Sequence, residues 1–350
     1  MIKSQAYAAS AADLPLSPFE FERREADSRD LVLELLYCGV CHSDIHYARN
    51  EWGYSRFPIV PGHEMIGRVS NVGSDVSGFK IGDLVGVGCI IDSCRHCEPC
   101  QDGEEHYCQK GVTMSYGSKE RKDGSVISQG GSSTTYVIDA DFALRIPDSL
   151  DPKGVAPLLC AGITTWSPLR RWNIGPGMKV GVVGLGGLGH MALKFAHAFG
   201  AELTLFTTSE SKAADAKKLG ASHIVVSSDR EAMKAARGFD FILDTVSAVH
   251  DINPYLSALK RNGTLCLVGL PDQQLAFKSS LVLSNKVISG SMIGGIQETQ
   301  EMLDYCGKHN ITADVELISI DDINDAFERV VKGDVKYRFV IDLATLKNQK

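Results

Sequence analysis

The spacing of hydrophobic residues changes part-way along the chain. In the first third they fall in short runs broken by glycine and aspartate: residues 31–36, residues 65–72 leading into a Gly73-Ser74-Asp75 turn, and residues 82–87. Short strands punctuated in this way predict a barrel-like β unit. From about residue 154 onward, apolar runs alternate with stretches of helical spacing. Strands are predicted at 179–183, 203–206, 223–226, 239–243 and 264–268, and helices at 188–199 and 211–219. That alternation predicts a parallel sheet built from βαβ units. The tail holds two more helical stretches, 297–306 and 321–331, and closes on a strand, Tyr337-Arg338-Phe339-Val340-Ile341. We expect it to fold back onto the first unit. This makes an α/β protein with one domain over 1–152 and 296–350 and a second over 153–295.

Length supports the division, since 350 residues exceed one comfortable core. The net charge of -7 argues against nucleic acid or an anionic membrane as partner. No apolar run approaches the ~18 residues of a membrane span. Residues 1–19 lack a long apolar core followed by a cleavage site, so a signal peptide is not expected. Ten cysteines raise the question of disulfides, but a chain of this size does not need staples, and five of them fall between residues 89 and 108. The expected location is therefore the reducing cytoplasm. Cys38, Cys89, Cys266 and Cys306 sit among apolar residues and are expected as buried small hydrophobes.

Two local motifs carry chemistry. Cys94, Cys97, Cys100 and Cys108 are spaced so that successive thiolates can turn toward one ion. Four thiolates close a zinc and give a structural site. An iron–sulfur cluster also takes four cysteines, and four free thiols in a loop are the plain alternative. Gly184-Leu185-Gly186-Gly187-Leu188-Gly189 follows an apolar strand and opens a helix, the context required of a dinucleotide fingerprint. The first glycine permits the tight turn, the second lets backbone approach a pyrophosphate, and the third allows helix to pack on strand. A glycine-rich turn without a ligand is the alternative. Past the strand at 203–206, where an NAD-preferring fold places an acidic residue, stand Thr207, Thr208, Ser209, Glu210 and Lys212. The hydroxyls of Thr208 and Ser209 can bond a 2′-phosphate and Lys212 can supply charge, with Glu210 turned to solvent. This predicts NADP(H), although Ser209 can also be a plain helix cap with Lys212 solvated.

Six segments, in order along nearly the whole chain, resemble the zinc-dependent medium-chain alcohol dehydrogenases, in particular the cinnamyl alcohol dehydrogenase group and its bacterial NADPH-dependent aldehyde reductase relatives. They are Gly39-Val40-Cys41-His42-Ser43-Asp44, Pro61-Gly62-His63-Glu64, the four-cysteine loop, residues 157–164, the glycine loop, and residues 290–295. The resemblance implies a Rossmann domain beside a GroES-like catalytic domain, with two Zn²⁺ per chain. It implies that Cys41, His63 and Cys160 hold a catalytic zinc, with Glu64 an alternate ligand and Asp44 orienting His63. Ser43 is implied to bond the substrate oxygen and His46 to pass its proton outward. Thr164, Thr245, Gly269 and Ser291, Met292 and Ile293 are implied to line the cofactor, with His42, Ser43, Val268 and Arg338 joining them. Trp52 matches a pocket aromatic, while other pocket positions, around Met114 to Tyr116, depart from the plant enzymes.

The expected activity is NADP(H)-dependent interconversion of primary aromatic, allylic or aliphatic alcohols and aldehydes, in a homodimer or homotetramer. The rivals are a zinc-free quinone or enoyl reductase of the same superfamily, which both ligand sets oppose, and a zinc-stabilised binding or structural protein without turnover, which the intact Cys41, Ser43, His46, His63 and Cys160 set opposes.

Overall fold

The computed structural model describes residues 1–271 and 273–347. It divides into two compact units, Met1–Ile163 with Gly294–Lys350, and Thr164–Ile293.

The first unit is organised by one long strand, Asp30–Val40, whose side chains are buried over most of its length. Along one edge it pairs antiparallel with Met65–Val72. Along the other its first half pairs with Thr135–Asp139 and its second half with Arg338–Asp342. Val315–Ser319, Leu84–Val87 and Leu144–Arg145 complete a seven-stranded sheet. The core beneath it includes Leu31, Leu33, Leu35, Ile45, Met65, Tyr136, Phe327 and Phe339. The tail thus supplies strands to the N-terminal sheet. Its first helix, Ile296–His309, buries Thr299, Met302, Leu303 and Cys306, one stripe at helical spacing. A hairpin of Ile2–Ala8 and Ser17–Arg23 lies outside the main sheet.

The second unit is a six-stranded, wholly parallel sheet. Counting from Lys179–Val183 as first, its order is third, second, first, fourth, fifth, sixth, the Rossmann arrangement. Strands such as Lys179–Val183 are nearly continuously apolar because helices cover both faces. The order reverses between Lys179–Val183 and Phe239–Asp244, and ligands of such sheets bind outside the strand ends at that point.

Several boundaries differ from the pattern-based expectation. The strand expected at 264–268 runs from Leu259 to Leu267, continuing through the polar Lys260-Arg261-Asn262-Gly263 with a register shift against Phe239–Asp244. The helix expected at 211–219 begins as a 3₁₀ turn, Glu210–Lys212, before Ala213–Lys218. The edge strand Val287–Gly290 had no clear alternation to announce it.

Candidate active site and metal centres

The Cys94–Cys108 segment folds around its own sulfurs. Short turns, Glu98–Gln101 and Glu105–Tyr107, bring the four thiols together, with Sγ separations of 3.5 Å for Cys97–Cys100 and 3.9 Å for Cys94–Cys100 and Cys97–Cys108. Zinc–sulfur bonds of ~2.3 Å in a tetrahedron place sulfurs ~3.8 Å apart, so the spacing fits one zinc. Backbone N–H groups of Cys94, Cys97 and Gln109 donate to the sulfurs at 3.3–3.4 Å. Such bonds favour thiolate, and those from the His96 and Cys97 N–H groups hold the Cys94 thiol down to about 6. Arg95 anchors the loop, its guanidinium bonded to Asp92, Asp139 and Asp141.

The dispersed residues also converge. One ligand atom from each of Cys41, His63, Glu64 and Cys160 lies within 4.8 Å of the others, and all four residues are buried. Cys41 and Cys160 Sγ are 3.9 Å apart, again a tetrahedral edge. Asp44 builds this arrangement. Three residues into helix His42–Ala48, its Oδ2 accepts the Cys41 N–H at 2.8 Å, a capping-box bond that fixes the ligand at the helix entrance. Its Oδ1 accepts from Gly62 N–H at 2.9 Å, His63 Nδ1 at 3.0 Å and the Tyr116 hydroxyl at 2.7 Å. With Nδ1 committed to Asp44, Nε2 is the His63 atom free to ligate. Glu64 Oε1 accepts from Arg338 at 2.8 Å, and the same guanidinium lies 3.5 Å from Cys41 Sγ. Glu64 Oε2, buried without a hydrogen bond, rests against Gly39, where a Cβ would meet it at 2.0 Å. Burial pushes the Glu64 carboxyl up to about 7 against the Arg338 charge. The hydrogen bond from Cys160 holds the Cys41 thiol well below its usual range, with Arg338 adding to it against burial. Arg338 is thereby placed in the cysteine cluster.

Ser43 and His46 share the helix His42–Ala48. The His46 ring stacks on Trp52 at 4.9 Å and its Nδ1 meets the Glu51 carboxylate. Trp52 continues to Tyr54, which is 57% exposed, so an aromatic row leads from His46 to the surface. Glu51 is not singled out as functional by the sequence, and Tyr116, expected only among the pocket positions, bonds Asp44. Cys89 is buried, in keeping with expectation, and has one further contact. Its thiol hydrogen-bonds Cys160 and is lowered by that contact, whereas burial raises Cys38, Cys266 and Cys306.

In the second unit Gly184 adopts φ +89°, which favours glycine. A Cβ on Gly189 would lie 2.1 Å from Gly184 O, while one on Gly186 would meet nothing within 4 Å. Helix Gly187–Ala198 therefore packs onto the strand turn and leaves the backbone at Gly186 bare, as a pyrophosphate cradle requires. Lys212 Nζ donates to Leu185 O at 3.1 Å, bringing its charge to the loop. Thr207 is buried, Thr208 and Glu210 are exposed, and Ser209 accepts from the Ser211 N–H as a cap. Thr245 Oγ1 donates to Val183 O at 2.7 Å, and Val268 and Gly269 N–H donate to Asp244 O. Ser291 N–H donates to Leu267 O, Met292 is exposed, Ile293 has φ +40°, and Thr164 is buried in helix Ala161–Arg171.

Residues 27–148 match the alcohol dehydrogenase GroES-like domain and residues 187–308 the zinc-binding dehydrogenase domain. The aldehyde reductase YahK of Escherichia coli (strain K12) is 52% identical over 351 residues, covering 99% of each chain. The chain belongs to the zinc-type medium-chain alcohol dehydrogenases. Among solved structures of this alcohol dehydrogenase family, a cinnamyl alcohol dehydrogenase from Sorghum bicolor superposes with a TM-score of 0.95 at 43% identity over 99% of both chains. One from Helicobacter pylori, complexed with NADP(H), superposes with a TM-score of 0.93 at 39% identity over 100% of this chain and 99% of that one.

Proposed function

We propose that the protein is an NADP(H)-dependent zinc alcohol dehydrogenase and aldehyde reductase acting on primary aromatic, allylic or aliphatic alcohols and their aldehydes. The observation that carries this reading is the buried cluster of Cys41, His63, Glu64 and Cys160. Two thiolates and an imidazole leave a coordination position for substrate, with Glu64 as the alternate ligand. When bound, zinc supplies a Lewis acid for the substrate oxygen and NADP(H) supplies or takes the hydride.

The chain's own residues do the rest. Asp44 orients His63 through Nδ1 and fixes Cys41 through its N–H. Arg338 compensates the charge of Glu64 and Cys41. In reduction, Ser43 Oγ gives its proton to the nascent alkoxide and is refilled from His46, whose Nδ1 meets the Glu51 carboxylate. Oxidation runs the relay in reverse. Trp52, beside His46, would line the pocket for an aromatic or allylic substrate. Cys94, Cys97, Cys100 and Cys108 hold the second zinc, which orders their loop.

Gly184, Leu185, Gly186, Gly187, Leu188 and Gly189 cradle the pyrophosphate, and Lys212, Thr208 and Ser209 receive the 2′-phosphate. The charge of Lys212 at Leu185 O supports that preference. The free, metal-spaced cysteines support a reducing cytoplasm. The edge strand Val287–Gly290, with Val287 44% exposed, supports a homodimer or homotetramer paired through that edge.

Purified protein given NADPH with benzaldehyde or cinnamaldehyde should consume NADPH, and kcat/KM should favour NADPH over NADH. No consumption with either coenzyme would refute the activity. A clear NADH preference would refute the 2′-phosphate site.

A further inference from the structure

A second titratable pair lies in the Rossmann unit, apart from the zinc ligands. Asp244 ends the strand Phe239–Asp244, next to the point where strand order reverses. Its carboxylate is buried and accepts the Val246 N–H at 3.1 Å and His250 Nε2 at 2.9 Å. The other ring nitrogen, His250 Nδ1, lies 2.9 Å from Ala248 O. A carboxylate and a carbonyl both accept, so both ring nitrogens must donate. Only the imidazolium has two N–H groups, and a neutral ring must give up one of the bonds.

The loop closed by this ring touches both sides of the cofactor cradle. Thr245 Oγ1 would lie 3.2 Å and 3.3 Å from a Cβ on Gly184 and Gly189, and Val246 O would lie 2.2 Å from one on Gly269. The Thr245 N–H donates to Val183 O, the residue before Gly184. Residues 245–250 are thus a wedge between the turn after the first strand and the turn after the fifth, with His250 as its tie.

We propose that His250 is a positioning residue of the dinucleotide site: its imidazolium, bridging Asp244 and Ala248 O, holds Thr245 and Val246 against the glycine loop and makes coenzyme affinity fall as pH rises. The proposal rests on the NADP(H) reading above. The groups facing His250 are Asp244 on the strand, Asp251 on its own loop, and the Tyr255 ring at 6.0 Å on helix Asn253–Ala258. The bond to Asp244 raises the ring above the usual histidine value against burial, with Ala248 O and Asp251 adding to it. A raised value keeps the tie intact at lower pH and releases it as pH climbs through that value.

The test is NADPH binding by fluorescence to the full-length wild type, His250→Gln and His250→Ala, from about pH 6 to about pH 9. The 2′-phosphate of NADPH titrates near pH ~6 in every variant and is subtracted by comparison. Wild-type Kd should rise about fivefold across this range, and His250→Ala should be about fivefold weaker than wild type at the low end and flat above it. His250→Gln, which retains one donor to Asp244, should fall between them and be equally flat. KM for NADPH should follow Kd while kcat holds. Wild-type affinity and pH profile in His250→Ala would overturn the proposal. So would a His250→Gln profile that tracks the wild type, since a simple packing role predicts that. Failure of the wild type to bind NADPH at all would instead overturn the cofactor reading, and this proposal with it.

Discussion

Asp44→Asn is the sharpest perturbation of the active-site scaffold. The carboxylate is 2% exposed and accepts four hydrogen bonds, three on Oδ1 and one on Oδ2. Asparagine keeps the size but trades one acceptor for an NH₂ donor. In the better orientation its oxygen faces Gly62 N–H, His63 and Tyr116, and its NH₂ then opposes the Cys41 N–H. That leaves a buried donor unsatisfied, at ~1–3 kcal/mol. The three retained bonds lose the charged acceptor, and neutral bonds are about half as strong, adding ~1–2 kcal/mol in all. The expected loss is ~2–5 kcal/mol of unfolding free energy, concentrated where Cys41 and His63 are held. Urea unfolding at fixed zinc, with elemental analysis of the gel-filtered protein, measures both parts. The variant should lose metal from the Cys41 cluster and keep it in the Cys94–Cys108 loop. An Asn variant that retained both metals and wild-type stability would refute Asp44 as the common acceptor.

Cys100→Ser should release the loop metal, lower the unfolding midpoint and raise proteolysis within residues 92–108. Elemental analysis finding one metal or none per chain in active wild type would contradict two sites. Ser43→Ala should lower kcat by roughly 10²–10⁴-fold with coenzyme Kd unchanged, and a wild-type rate would remove it from the relay. The buried Asp30 is a test of pH dependence. Burial opposes its charge, but bonds from Arg24, the Asp27 N–H and Lys122 outweigh it and hold the carboxyl below its usual value. A depressed carboxylate stabilises the fold above the unfolded value of ~3.9 and ceases to do so as pH falls through the folded one. Asp30→Asn should therefore flatten the acid limb of the stability curve below about pH 4, and an unchanged limb would count against the pair.

What could be read from the chain follows how locally each contact is made. The four thiols of the zinc loop and the strand–glycine–helix turn are short segments whose spacing is itself the structure. Tyr116 meets Asp44 across 72 positions and Arg338 meets Glu64 across 274, so no window contains either pair. Arg338, a cofactor contact by resemblance, also meets Glu64 and Cys41. His250 is only six positions from Asp244, yet a lone histidine in a short loop, followed by Asp251, has the pattern of a solvated one. The hairpin strand Ile2–Ala8 went unread because its alternation is carried by small and polar residues. The 260–263 stretch misled because its polar residues sit inside a strand, where an irregular register and a left-handed Asn262 accommodate them.

The placement of Arg338–Asp342 beside Asp30–Val40 has a consequence for biosynthesis. A ribosome delivers the Rossmann strands as one contiguous block, and that block can close while the chain is still growing. The N-terminal sheet cannot: one of its inner strands and the guanidinium that neutralises Glu64 arrive only after that block. Until then Cys41 and Glu64 lack their counter-charge, and the flank of Asp30–Val40 is an open edge able to pair with another chain. Nascent chains stalled before Arg338 should accordingly present a finished dinucleotide unit joined to an aggregation-prone, metal-poor one. The strand Arg338–Asp342 acts as a latch on vectorial folding.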